Sequence, residues 1–424
     1  MTIHSDWSRL MHQECPDAFT KKVPQGAAPS VGVIDGHLQL MSLHSGLQTW
    51  ERFAQYLFVK PILTLFAEGC ARVVLCFDCY TYVPVYKAIT QQKRCSRMTE
   101  IKTFQAHWDL PSCIPSDPMA YLMNRHFKLK VIDKVLELLP SLLTLAAGQT
   151  LMVDYKSVVE YTAADNWIPR PVPDLVPLGE SDIKFCRYVT QYGNALVHAI
   201  DGDYIAIALL YYSKIAATPH NRIYIYRQLA VLQDGSQKRA QPGAGTPKKV
   251  MCWLNIQRVH KALGEIVCGA GFQGSAENAV QAAVHLMLCA GTDFSRGLPL
   301  VGPRRLWELL PKITSAMSHG SEDVEAFANN VVAPLYAETY AKHSTWRGSL
   351  TGVLQDLQAS VLAKRTKERF PTQEQVLVTL LNVNWVMQYW CAHNNCVATP
   401  TAGENGYTER NRQIHFSDTI SSDA

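Results

Sequence analysis

Three short apolar runs in this chain end on an acid: Val31-Gly-Val-Ile-Asp35, then Ala71 to Phe77 followed by Asp78, then Ala195 to Ile200 followed by Asp201-Gly-Asp203. Apolar runs of this length, bounded by turn residues, read as buried strands. Helical stretches separate them, and strands alternating with helices predict an α/β fold with a central, mainly parallel sheet flanked by helices. Sites in such a sheet lie beyond the carboxyl ends of its strands, so acids at those ends point to one location. Burying carboxylates is costly unless something positive compensates them, and a divalent cation with oxygen ligands does so.

A second pair, Glu180-Ser-Asp182, opens the helical stretch that leads into the third run. Both pairs have the i, i+2 spacing that aims two side chains the same way from extended chain. Taken alone, either pair is more often a solvated loop end. Beyond Asp78 comes a turn with Pro84 and a basic helical segment, in which Lys87 and Arg94 share a face and Lys93, Arg97 and Lys102 add charge. An isolated segment of this kind is a solvated basic helix. Next to a carboxylate cluster it becomes a phosphate-contacting surface. Further on, an apolar segment over 281–290, helix or strand, delivers Gly291-Thr-Asp293. A glycine–proline turn with Gly302 then opens a helix bearing Arg304 and Arg305, and a helix start with arginines beside it suits phosphate.

Composition narrows the class. The chain has 424 residues, 47% of them apolar and 18% charged, with a net charge of +4. That is the balance of a globular protein with two or three regions, and it permits a phosphate-bearing partner without demanding one. The apolar stretches over 56–66 and 131–147 are interrupted by charge, and the first residues lack an apolar secretory core, so neither a membrane span nor a leader is expected. Most of the twelve cysteines sit inside apolar runs, which implies reduced thiols and an intracellular site. Cys76 and Cys79 form a CxxC pair with no second pair to complete a zinc site. The remaining pattern predicts a helix over 131–147 broken at Pro140, a strand over 149–154 and an extended approach over 169–177. It also predicts a strand over 221–231 that returns through a basic loop over 233–249 into 250–254. Helices follow from about 322, strongest over 372–393, and a polar, disordered tail follows from 399.

Assembled in order, these residues resemble the flap endonuclease superfamily of structure-specific 5′ nucleases (the XPG type, with a PIN-like core). The likeness runs over about residues 1–320. Met1-Thr-Ile-His-Ser-Asp-Trp7 is similar to the family's opening segment, and Phe77-Asp78 with Pro84 to its Phe-Asp-Gly-x-Pro. Gly179-Glu180-Ser-Asp182, Asp201-Gly-Asp203 and Gly291-Thr-Asp293-Phe294 are similar to its later acidic motifs. Thr2 and Leu300 stand where the family has glycine, and no sliding-clamp docking motif is seen in the tail. The resemblance implies a catalytic core over 1–292 with a basic arch over 79–130, a helix–hairpin motif over 293–320, a helical region over 321–398 and the tail.

It further implies a magnesium-dependent nuclease holding two Mg²⁺ ions, which Mn²⁺ can replace. Asp35, Asp78, Glu180 and Asp182 would serve one ion, and Asp201, Asp203 and Asp293 the other. Lys87 and Arg94 would offset charge on the scissile phosphate. Arg97, Gly302, Arg304 and Arg305 would bind nucleic acid. The implied partner is branched or flapped DNA, handled by a monomer in the nucleus or a viral replication compartment during replication and repair. Two alternatives stay open: an mRNA-degrading ribonuclease of the same fold, and a catalytically inactive scaffold.

Overall fold

A computed structural model describes residues 11–24, 26–78, 102–175, 180–199, 201–215, 222–231, 248–291, 297–317, 323–340, 349–359, 371–391, 407–410 and 413–416. At its centre is a nine-stranded sheet. The strands are β1 (Phe19–Thr20), β2 (Val31–Asp35), β3 (Arg72–Cys76), β4 (Thr150–Asp154), β5 (Val158–Thr162), β6 (Arg170–Pro171), β7 (Ala195–His198), β8 (Ile223–Val231) and β9 (Lys248–Asn255). Their order is β1-β9-β8-β7-β2-β3-β4-β5-β6. The five central strands, β8 to β4, run parallel, and the outer pairs are antiparallel. The fold is therefore α/β with a mixed sheet that is parallel in the middle, as the alternating pattern predicts. On one flank short connections fold the chain back from β4 to β5 and from β5 to β6, while on the other β1 is brought to β9 from far along the chain.

Winding sets the location of the site. From β2 the chain moves outward through β3 to β4, then returns past β2 to build β7 and β8 on the other side. The order reverses between β2 and β7, and the crevice beyond the carboxyl ends at such a reversal is where ligands bind in open α/β sheets.

Fourteen α-helices are described: α1 (Gly36–Met41), α2 (Trp50–Ala54), α3 (Lys60–Ala67), α4 (Pro118–Leu122), α5 (Arg125–Leu142), α6 (Ser181–Tyr192), α7 (Asp203–Ile215), α8 (Ile256–Gly269), α9 (Ala276–Cys289), α10 (Pro303–Met317), α11 (Val324–Phe327), α12 (Ala333–Tyr340), α13 (Leu350–Ala359) and α14 (Gln373–Cys391). Two π turns, Gln55–Val59 and Ala328–Val332, carry α2 into α3 and α11 into α12. Each directly precedes an X–Pro pair, Lys60-Pro61 and Ala333-Pro334. Proline lacks an N–H and its ring crowds the carbonyl four residues back, so a wider turn lets the helix run on.

Strand alternation divides the core into two layers. Ile34, Val73, Leu75, Leu151, Val153 and Leu196 face the layer built with α2, α3 and α5. Val31, Val33, Val74, Cys76, Met152, Val197, Ile223 and Ile225 face the opposite layer, built with α6 to α9 and the C-terminal helices.

Two local expectations are corrected, and one left open is settled. The helix expected over 131–147 starts at Arg125, because Asn124 accepts from the N–H groups of His126 and Phe127, and it ends at Leu142 with Pro140 inside its last turn. The segment over 281–290, open between helix and strand, is helical as far as Cys289, since the apolar run continues the pattern begun at Ala276 behind the Ser275 cap. In the tail, Tyr407–Arg410 (β10) pairs antiparallel with Gln413–Phe416 (β11), where aromatic and β-branched residues give a ladder rather than the expected disorder.

Candidate active site

Register fixes a row across the carboxyl edge of the sheet. Asp154 lies level with Cys76, and Cys76 with Asp35. Ile34 pairs with His198, and His198 with Tyr226. One residue further on, Asp35 is thus level with Ala199 and Arg227. Because side chains alternate along a strand, Asp35, Asp154 and Arg227 share the face of Val33, Met152 and Ile225. That face is the one covered by α6 and α7, whose first turns carry Asp182 and Asp203.

The acids are deeply buried. Asp35, Asp78, Glu180, Asp182 and Asp203 each retain 7% exposure or less, and Asp201 is half-buried. Several are aimed by backbone donors. Asp35 caps α1, with Oδ1 accepting from Leu38 N–H at 3.1 Å. Glu180 sits at the cap position of α6 but makes no capping bond there. Instead Asp78 Oδ1, from beyond β3, accepts from Ser181 N–H at 3.0 Å. An orphan amide at a helix start is thereby met by a carboxylate 103 residues away in sequence. Asp201 Oδ1 accepts from Asp203 N–H at 3.3 Å, folding the second pair into the start of α7.

Burial first, then the charges of Asp35 and Asp182, holds the Tyr204 hydroxyl well above the usual tyrosine range. Both acids therefore act on one ring at the start of α7. Gly36 keeps the assembly tight: a Cβ there would stand 2.6 Å from Phe77 Cε1 and 2.8 Å from the Cys76 carbonyl. Cys76 fills the row between Asp35 and Asp154. Burial and then Asp154 push its thiol well above the usual range, so it stays neutral.

Sequence reasoning missed two features. The first is a closed ionic network at the β4 end. Lys184 Nζ donates to Asp154 Oδ1 at 2.8 Å, to Phe77 O at 2.6 Å and to Asp154 O at 3.2 Å. Arg187 Nη2 and the Tyr188 hydroxyl reach Asp154 Oδ2 at 2.6 and 2.8 Å. Lys184 thus ties α6, with Glu180 and Asp182 at its start, to the ends of β3 and β4. The second is a basic edge. His37 Nδ1 stands 3.5 Å from Asp78 Oδ2, and Lys128 Nζ stands 3.3 Å from His37 Nε2. Lysine has no acceptor, so His37 Nε2 takes the bond and Nδ1 carries the proton toward Asp78.

Asp293, Lys87, Arg94, Arg97 and Gly179 lie outside the described residues. Among the described residues, no three His, Cys, Asp or Glu side chains close on a common point for a metal. The donor set at the row is nonetheless carboxylate oxygen with no thiolate, the chemistry that suits Mg²⁺, Ca²⁺ or Mn²⁺.

The turn before α10 differs from a bare phosphate cradle. Leu300 adopts φ 62°, the left-handed region that favours glycine. Its carbonyl accepts from the Tyr340 hydroxyl, and the Pro299 carbonyl accepts from Tyr336 at 2.8 Å, so both face α12. Gly302 has open space where a Cβ would lie. Arg304 pairs with Glu308 at 2.8 Å, while Arg305 bonds Glu308 and the Glu338 carbonyl. No family model matches the sequence, and no curated protein matches it significantly. No helix among the described residues is long and apolar enough to cross a membrane.

Proposed function

We propose that this chain is a magnesium-dependent nuclease with a PIN-like core, cutting phosphodiester bonds in nucleic acid as structure-specific 5′ nucleases do. What supports this reading is the burial of acids from three strand ends and one helix start along the carboxyl edge at the strand-order reversal, with Asp78 bonded to the first turn of α6 and Asp35 and Asp182 both acting on Tyr204. Buried carboxylates in such number repel one another, which favours bound cations or raised pKa values. Asp35, Asp78, Glu180 and Asp182 would hold one Mg²⁺, and Asp201 and Asp203, with Asp293, a second. When bound, such ions activate water and offset charge on the phosphate.

The chain's own side chains do the rest. Ser181 N–H and His37 orient Asp78, Leu38 N–H orients Asp35, and Lys184 holds α6 against the sheet. Lys87 and Arg94 would bear on the scissile phosphate, and Lys128 adds a cation on the outer side of His37. The substrate we favour is flapped or branched DNA, with mRNA as the ribonuclease alternative. A scaffold reading draws on a different observation: Asp35 and Asp78 each cap a helix, which is a structural task sufficient to keep them.

The test is a panel of labelled 5′-flap, nicked and single-stranded DNA and single-stranded RNA, incubated with Mg²⁺ or EDTA. We expect Mg²⁺-dependent cutting of the flap, lost in Asp35→Ala and Asp182→Ala variants that remain folded. Preference for RNA selects the ribonuclease. Absence of cutting on every substrate with Mg²⁺ or Mn²⁺ overturns the nuclease reading in favour of the scaffold.

A further inference from the structure

Positive charge is supplied unevenly along the carboxyl-edge row. At the β4 end, Asp154 is met by Lys184 and Arg187. At the β8 end the cation is Arg227, placed on the acid-bearing face by the same alternation that points Ile223 and Ile225 into the core. Its side chain is 4% exposed, and its Nε and Nη1 hydrogen-bond nothing among the described residues. A guanidinium has five donors and no acceptor, so buried, unused donors need a physical reason.

The reason lies in its neighbours. Burial pulls the Arg227 pKa down, Asp201, Cys252 and then Asp203 oppose it, and the value settles at about 10, so it remains a cation at neutral pH. Ala199, level with it in the row, is too small to screen it from Asp35. Strands about 4.8 Å apart set Arg227 two strand spacings from Asp35 and one from the chain that leads to Asp201. A buried charge at that range acts strongly on any second cation.

We propose that Arg227 is the resident counter-cation of the Asp201–Asp203 pair, taking part of the electrostatic place a second divalent ion would fill. The chain then binds cations unequally, tightly beside Asp35, Asp78, Glu180 and Asp182 and weakly beside Arg227. Arg227 is a positioning residue here, acting on the acids and not on substrate. The inference rests on the nuclease reading only in requiring that the acids bind metal.

The experiment is a Mn²⁺ titration of the full chain, following free Mn²⁺ by electron paramagnetic resonance. Two classes of site are expected, separated in Kd by about tenfold or more, the scale of one buried charge at an effective dielectric near 20. Arg227→Met tightens the weak class by about tenfold on the same grounds and leaves the tight class in place. Arg227→Lys, which keeps the charge, stays near the parent. Should Arg227→Met not fold, Arg227→Gln carries the same expectation. One class of equal sites, or a weak class unmoved by loss of the charge, overturns the inference and leaves the metal reading standing. No Mn²⁺ binding at all overturns both.

Discussion

At the β4 end of the row, Asp154 meets Lys184 at 2.8 Å and Arg187 at 2.6 Å, and the Tyr188 hydroxyl completes its shell. At the β8 end, Arg227 is buried almost as deeply, yet its Nε and Nη1 bond nothing among the described residues. The first flank is a structural joint in which two cations and a tyrosine hydroxyl share one carboxylate. The second holds a charge on which Asp201 and Asp203 act. Buried ions are retained where they fix geometry or serve chemistry, since apolar residues of similar volume are usually no less stabilising.

Removing one member of the closed flank should give the largest effect. Asp154→Ala strands two cations in the core and is expected to lower unfolding free energy by about 3–5 kcal/mol in urea titrations. A mild loss would mean that Lys184 and Arg187 find other partners.

Acid should act on the β8 side next. His198 ends β7 and stacks on Tyr226 of β8 at 4.9 Å, and burial pulls its pKa from 6.5 to about 4. Burial likewise pulls His285, stacked on Phe327, down to about 3. In each case the unfolded chain binds the proton first. Their contribution is complete above pH 6.5 and is lost as pH falls toward 4, at up to about 1.4 kcal/mol per pH unit for each histidine. Thermal melts between pH 7 and 4.5 check this, and His198→Leu should flatten the slope.

Arg227→Met should cost less than Asp154→Ala. Without metal it leaves Asp201 and Asp203 without the charge that offsets them, at an expected loss of about 1–3 kcal/mol in urea titrations. A gain in stability instead would show that Arg227 does not offset those acids. The smallest change should come from replacing the closed flank whole. Asp154→Leu with Lys184→Met and Arg187→Met is expected within about 1 kcal/mol of the parent. Retained Mg²⁺-dependent cutting in that variant would free the network of any positioning role.

The central architecture was legible because it is written locally. Apolar runs ending in Asp35, Asp78 and Asp201 announce parallel strands whose ends meet, and α/β alternation announces the layers. Asp154 was harder. Its segment reads as a strand, but its partners Lys184 and Arg187 lie thirty residues on and look like the polar stripe of an amphipathic helix. Nothing local marks a bond such as Asp78 to Ser181, because only the sheet order brings the two together. Arg227 could have been found: Ile223, Ile225 and Arg227 alternate onto one face, so an arginine among core positions was already visible. The segment over 281–290 stays open between helix and strand in the sequence because an apolar run without clear periodicity fits either.

The amide of Ser181, closed by a carboxylate from the far side of β3, also has a bearing on assembly order. The first turn of α6 gains this partner only when docked against the end of β3, so the seating of Glu180 and Asp182 is tied to that docking.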